Sequence, residues 1–167
     1  MGSFISRPSS KLIKVAIDIG GVLIPERKPD PSRKFDISKF MPGAIIALER
    51  MCAVGCENYI VSYSPESRIA KTVPDLKGVP EFTKLIDPAN WIFVTNEATR
   101  AQDKARVCSQ IGADVFIDDL LDICESVKAA GIPNVFWFTA EPKKVPEGII
   151  NVTNWTELCE RILEVCK

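Results

Sequence analysis

Lys14 to Ile24, KVAIDIGGVLI, is the stretch that decides the fold. Its apolar run reads as a strand buried on both faces. The run ends on a single carboxylate, Asp18, and then loosens at Gly20 and Gly21. Open α/β sheets place reactive groups in this way, at the carboxyl end of a strand where the chain turns. Alone, the stretch has two readings: a core strand with a solvated Asp in its turn, or a strand presenting a reactive carboxylate. The rest of the chain separates them.

Outward from this strand, further apolar runs alternate with helical patterns. Asn58 to Val61 is a buried strand running into Ser62-Tyr63-Ser64-Pro65. Trp91 to Thr95 is another, and Asp114 to Ile117 delivers Asp118 and Asp119. Asn134 to Phe138 follows, and Ile149 to Val152 is expected at the sheet edge. Pro42-Gly43 opens a helix over Ala44 to Ala53, ended by Gly55. Pro65 is expected in the first turn of a helix from Glu66 to Thr72, with Ser62 or Ser64 as its cap or as an anion contact. Helices are also expected over Thr99 to Ile111, with Lys104 in its first half, and over Leu121 to Ala130. Asn154 caps a last helix that runs through Val165. Pro74, Pro80 and Pro88 make Val73 to Asn90 irregular, apart from a short helix near Glu81 to Leu85. Apolar strands alternating with amphipathic helices mean an α/β, doubly wound (Rossmann-like) three-layer sandwich around a central, mostly parallel sheet. The chain reads as one domain over 13–167, with a flexible tail at 1–12 and a short flap at about 25–41.

Composition narrows the chemistry. The chain has 167 residues and a formal net charge of -1, so no global field attracts nucleic acid or an anionic membrane. No run of 18 apolar residues predicts a membrane span. The start lacks an apolar signal core, so a cytoplasmic location is expected. There is no His, which removes Ser-His-Asp and Cys-His catalysis. The six Cys are expected to be reduced, and Cys52, Cys108, Cys124, Cys159 and Cys166, in apolar helical patterns, to act as small hydrophobes; Cys52 and Cys56 have no partner pair at zinc-ligand spacing. Asn151 and Asn154 fit a glycosylation pattern but read as turn and cap residues. Gly2 and Ser6 match the M-G-x-x-x-[ST] pattern. One reading is N-myristoylation with Arg7, Lys11 and Lys14 as a basic second signal for weak membrane association; the other is a chance match. The Pro-rich stretch from Pro25 to Phe40 is either a solvated charged loop or a flap bringing Arg27, Lys28, Arg33 or Lys34 over an anion site.

Asp18, Ser62, Lys104 and the Asp118-Asp119 pair all fall at strand ends or at the start of the next helix. In a doubly wound sheet those positions share one rim, where such folds bind ligands. The set suits phosphoryl transfer. Asp18 can attack phosphorus, carboxylates from two strands can hold Mg²⁺, and Ser62 and Lys104 can neutralise phosphoryl oxygens.

The order Asp, then Ser, then Lys, then Asp-Asp resembles the haloacid dehalogenase (HAD) superfamily. The matching pieces are VAIDIGGVL, NYIVSYSP, DKARVCSQIGADVFIDD and VKAAGIPNVFWF, spanning Lys14 to Phe138. A receiver domain uses similar groups in the reverse order. The resemblance implies that Asp18 is nucleophile and metal ligand, and that the Gly20 carbonyl is a second ligand. It implies Ser62, Lys104 and Gly21 as phosphate contacts and Asp118 as a direct Mg²⁺ ligand. Asp119 would act through water or orient Lys104. The intervals after Asp18 and after Ser62 are too short for a large cap. That resembles the capless members, whose open sites admit bulky or macromolecular phosphoesters; a small nucleotide or sugar phosphate is the other substrate class. Phosphatases of the superfamily carry Asp-x-Asp, and here the second Asp is Gly20. General acid–base help is worth about 10²–10⁴-fold, so the expected hydrolase is slow. Glu26 or the substrate would then have to supply the proton. The alternative is a pseudoenzyme that binds Mg²⁺ and phosphate without turnover, and a third is a scaffold without a ligand.

Overall fold

The computed structural model describes residues 12–25 and 34–167. Gly2, Ser6, Arg7, Lys11, Glu26, Arg27, Lys28 and Arg33, and with them the myristoylation reading and residues 26–33 of the flap, lie outside the described residues. Six strands form one parallel sheet in the order β3-β2-β1-β4-β5-β6. They are β1 (Ile13–Ile17), β2 (Cys56–Tyr63), β3 (Trp91–Val94), β4 (Val115–Asp118), β5 (Asn134–Phe138) and β6 (Ile149–Val152). The chain reverses its direction of progress between β3 and β4, on either side of β1. β1 pairs with β2 through Ile17 and Ile60, and with β4 through Ile17 and Ile117. This register sets Asp18, just past β1, beside Asp118 at the end of β4 and next to Ser62 near the end of β2. It is the switch point at which open sheets bind ligands.

Helices cover both faces. Val15 and Ile17 face one core, closed by α1 (Ala44–Ala53), α2 (Glu66–Lys77), α3 (Pro80–Thr83) and α6 (Trp155–Val165). Ala16, Phe116 and Val135 face the other, closed by α4 (Arg100–Ile111) and α5 (Leu121–Ala129). Alternate residues of one apolar strand thus feed two cores, as expected when both faces are covered. No helix among the described residues is long and apolar enough to cross a membrane.

Three local readings change. α2 does not stop at Thr72 but continues through Pro74 to Lys77, and Leu76 in its last turn is buried. Pro74 removes one backbone donor and crowds the preceding turn. The buried contact of Leu76, two residues on, offsets that cost. Pro65 sits at the N-cap rather than in the first turn, and no side chain caps this helix. Ser64 is therefore not a cap; its Oγ donates to the Pro65 carbonyl at 3.4 Å. Within the flap, the described part holds a 3-10 turn at Ile37–Lys39. Phe35 and Phe40 anchor it to Phe82 in α3, with Phe40 and Phe82 ring centroids 4.9 Å apart. Lys34 is exposed there.

Asn154 caps α6 as its sequence predicts. Its side chain accepts from the Glu157 N–H at 2.8 Å, and Glu157 Oε1 accepts from the Thr153 N–H at 3.1 Å. This pair of bonds, with Glu157 reaching back to the residue before the cap, fixes the start of α6. Trp155, at that start, donates from Nε1 to the Val22 carbonyl at 2.7 Å. The last helix therefore braces the loop that follows Asp18.

Candidate active site

The loop after β1 is built by its backbone. The N–H groups of Val22, Leu23 and Ile24 all converge on the Ile19 carbonyl, and the Gly21 N–H donates to the Ile24 carbonyl at 2.7 Å. Asp18 itself donates from its backbone N–H to the Ile117 carbonyl at 3.0 Å, continuing the β1–β4 ladder one residue past the strand. Its carboxylate thereby stands beside that of Asp118.

Asp18 Oδ1 accepts from Ser62 Oγ at 2.8 Å and from Lys104 Nζ at 3.2 Å. Lys104 Nζ also donates to Asp118 Oδ2 at 2.7 Å. Asp118 Oδ1 accepts the Leu120 N–H at 3.0 Å. All of this is enclosed, with Lys104 1% and Asp118 0% exposed. β2 extends beyond Val61, so Ser62 is its penultimate residue rather than a loop residue. Asp18, Ser62, Lys104 and Asp118, all singled out in the sequence, meet through direct hydrogen bonds. Orienting Lys104 falls to Asp18 and Asp118, the two acids it contacts, rather than to Asp119.

One carboxylate oxygen from each of Asp18, Asp118 and Asp119 lies within 4.8 Å of the others. Three acids against one Lys leave up to two negative charges uncompensated, with Asp18 and Asp118 buried and Asp119 half-buried. Burial and then the neighbouring Asp18 raise the Asp118 carboxyl from its ordinary 3.8 to about 6. Burial, Asp18 and Asp118 raise Asp119 to about 8. For Lys104, burial opposes the charge, but the Asp18 and Asp118 carboxylates overcome it and hold the ammonium above the usual lysine range. An oxygen-only donor set with this surplus of negative charge fits a hard divalent cation.

Gly21 and Gly20 have opposite constraints. Gly21 has φ +76°, and a Cβ there would stand 2.3 Å from Asp119 Oδ2. Only glycine lets the Asp119 carboxylate lie against this loop. The Gly21 N–H is engaged by Ile24, so a phosphate contact there has to compete with that bond. A Cβ on Gly20 would meet nothing within 4 Å, and its φ lies outside the left-handed region.

Two supporting groups escaped the sequence reading. Trp137 Nε1 donates to the Asp119 carbonyl at 3.0 Å, and the Leu120 N–H holds Asp118. Trp137 pairs with Asp118 across the β4–β5 register, so its role is visible only once the strands are aligned.

No protein-family model matches the chain, and no curated protein sequence is similar to it. Its backbone does resemble solved structures. A haloacid dehalogenase-like family hydrolase from Xanthomonas campestris shares 10% identity over 92% of this chain and 96% of its own, with a TM-score of 0.65. A HAD-superfamily hydrolase from Ehrlichia chaffeensis shares 14% identity over 98% and 100%, at 0.61. A HAD family hydrolase from Deinococcus radiodurans, solved with bound phosphate and sodium, shares 13% over 92% and 96%, at 0.58. At these identities the likeness carries the fold, and the fold is HAD-like.

Proposed function

We propose that this protein is a Mg²⁺-dependent phosphohydrolase or phosphotransferase acting through an aspartyl-phosphate on Asp18, with slow turnover. The observation that carries the reading is the Asp18 carboxylate, fixed through one oxygen by Ser62 and Lys104 beside Asp118 and Asp119. Ser62 and Lys104 both bond Asp18 through Oδ1, so Oδ2 is the oxygen this reading assigns to the attack on phosphorus. Lys104 and Ser62 are placed to turn from Asp18 to phosphoryl oxygens as charge develops on them. Asp18, Asp118, Asp119 and the Gly20 carbonyl are the groups that would hold Mg²⁺. The ion would neutralise phosphoryl charge and bring the phosphate into line. The substrate class is a phosphomonoester, small or macromolecular, in a cytoplasmic setting.

Gly20 favours a second reading, a module that binds Mg²⁺ and phosphate without turnover. Hydrolysis of an aryl phosphate with Mg²⁺ separates the two. Measurable wild-type turnover, lowered at least a thousandfold by Asp18→Asn, is the expected result. No wild-type turnover, with Mg²⁺ and beryllofluoride still raising the melting temperature, would establish the binding module instead. Failure of both would sink the site.

Proton linkage gives an independent check. Asp118 and Asp119 have raised folded-state values, so between pH 3.8 and about 8 the folded chain binds more protons than the unfolded one. The contribution of these two acids to stability is therefore most favourable at low pH and declines as pH rises through that window. Mg²⁺ must displace those protons. Its apparent affinity is expected to rise from about pH 5 to about pH 8 and then level off, with proton release measurable by calorimetry in two buffers. A pH-independent affinity would show that the cation does not bind these acids.

A further inference from the structure

A pair of thiols at the pole opposite the carboxylate rim has no part in the site above. Cys56 opens β2, and Cys166 follows the last turn of α6. Their Sγ atoms stand 3.3 Å apart, across 110 positions of chain. The other cysteines point elsewhere. Cys52 Sγ donates to the Leu85 carbonyl at 3.4 Å and Cys159 Sγ to the Ala47 carbonyl at 3.8 Å. Cys108 and Cys124 lie in the core on the other face of the sheet. All six are free thiols.

We propose that Cys56 and Cys166 are a redox modification site, closing to an intramolecular disulfide when they meet a small disulfide of the glutathione class. A disulfide bond is about 2.05 Å long, so the sulfurs have to approach by about 1.2 Å, within reach of side-chain torsions at a helix end. Accessibility sets the order. Cys166 is half-buried and Cys56 is 8% exposed. Burial, and then the adjoining Cys166 sulfur, also push the Cys56 thiol up, away from easy ionisation. Cys166 therefore reacts first. Its thiolate attacks one sulfur of oxidised glutathione, the S–S bond breaks, and one glutathione leaves and takes up a proton. The Cys56 thiol then gives up its proton, and its sulfur attacks the Cys166 sulfur. The mixed disulfide breaks and the second glutathione leaves as a thiol. Two protein thiols lose two electrons, and one glutathione disulfide gains them.

The bond would pin the end of the helix whose other end braces the loop after Asp18 through Trp155 and Val22. Closing a loop of this length restrains the unfolded chain strongly. The test is to treat the folded full chain with oxidised glutathione, then map its peptides without reduction. The expected result is a linked Cys56–Cys166 peptide, an intact mass lower by two hydrogens and a melting temperature higher by roughly 5–15 °C. Dithiothreitol should reverse all three. Cys166→Ser, a near-isosteric change at the half-buried C-cap of α6, should melt like the reduced wild type and show no shift. No reaction, a glutathione that stays on Cys166 in the folded chain, or an equal shift in Cys166→Ser would each overturn the proposal.

Discussion

Gly20→Asp is expected to raise the turnover of an aryl phosphate with Mg²⁺ by about 10²–10⁴-fold, the usual worth of a positioned general acid and base. That range corresponds to roughly 3–5 kcal/mol off the barrier. Sterics allow the side chain. A Cβ at Gly20 meets no atom within 4 Å, and the backbone there needs no left-handed glycine. Position 20 lies two residues past Asp18, on the loop held by the Ile19 carbonyl and braced from α6. A carboxyl there can protonate the leaving group and then take a proton from the attacking water. The gain has to appear in kcat and to vanish in the double variant with Asp18→Asn. An unchanged rate in a folded Gly20→Asp protein would show that the missing carboxylate is not what limits this site. A fourth acid beside Asp118 and Asp119 also adds repulsion, so the variant should depend more steeply on Mg²⁺ than the wild type.

The same two glycines show what could be read in the sequence and what could not. Asp18, Ser62, Lys104 and Asp118 were legible because each stands beside an apolar strand or helix whose period fixes where it goes. Parallel order then places their ends on one rim. Gly20 is legible as a loosened turn, a carbonyl ligand and a missing carboxylate, but not as a site with room for a side chain. That its surroundings are open, while those of Gly21 are filled by Asp119, depends on the approach of β4 to the loop, which local pattern does not encode. Trp137 likewise becomes a support for Asp119 only through the β4–β5 register, and Cys56 meets Cys166 only through the docking of α6. Pro74 misled for a related reason. The local rule marks a helix end, but the buried Leu76 two residues on carries α2 past it.

Lys104→Met is expected to have the largest effect on stability. Lys104 bonds the buried carboxylates of Asp18 and Asp118, at 3.2 and 2.7 Å. Methionine nearly conserves the volume, so what is lost is charge, and two acids remain buried without their cation. Removing one partner from a buried ion pair costs about 3–5 kcal/mol. For a chain of this size that lowers the melting temperature by roughly 6–20 °C. Lys71→Met offers the contrast. Lys71 and Asp75 are as close, at 2.9 Å, but their side chains are 55% and 31% exposed. An exposed i,i+4 pair contributes only about 0.3–0.5 kcal/mol. Distance alone would rank the two pairs together; burial separates them by nearly tenfold. The loss in Lys104→Met should also shrink when Mg²⁺ is added. A divalent ion on the same carboxylates restores the missing positive charge, so Mg²⁺ should raise the melting temperature of the variant more than that of the wild type. Equal Mg²⁺ shifts in the two proteins would mean that Lys104 and the metal do not answer to the same acids.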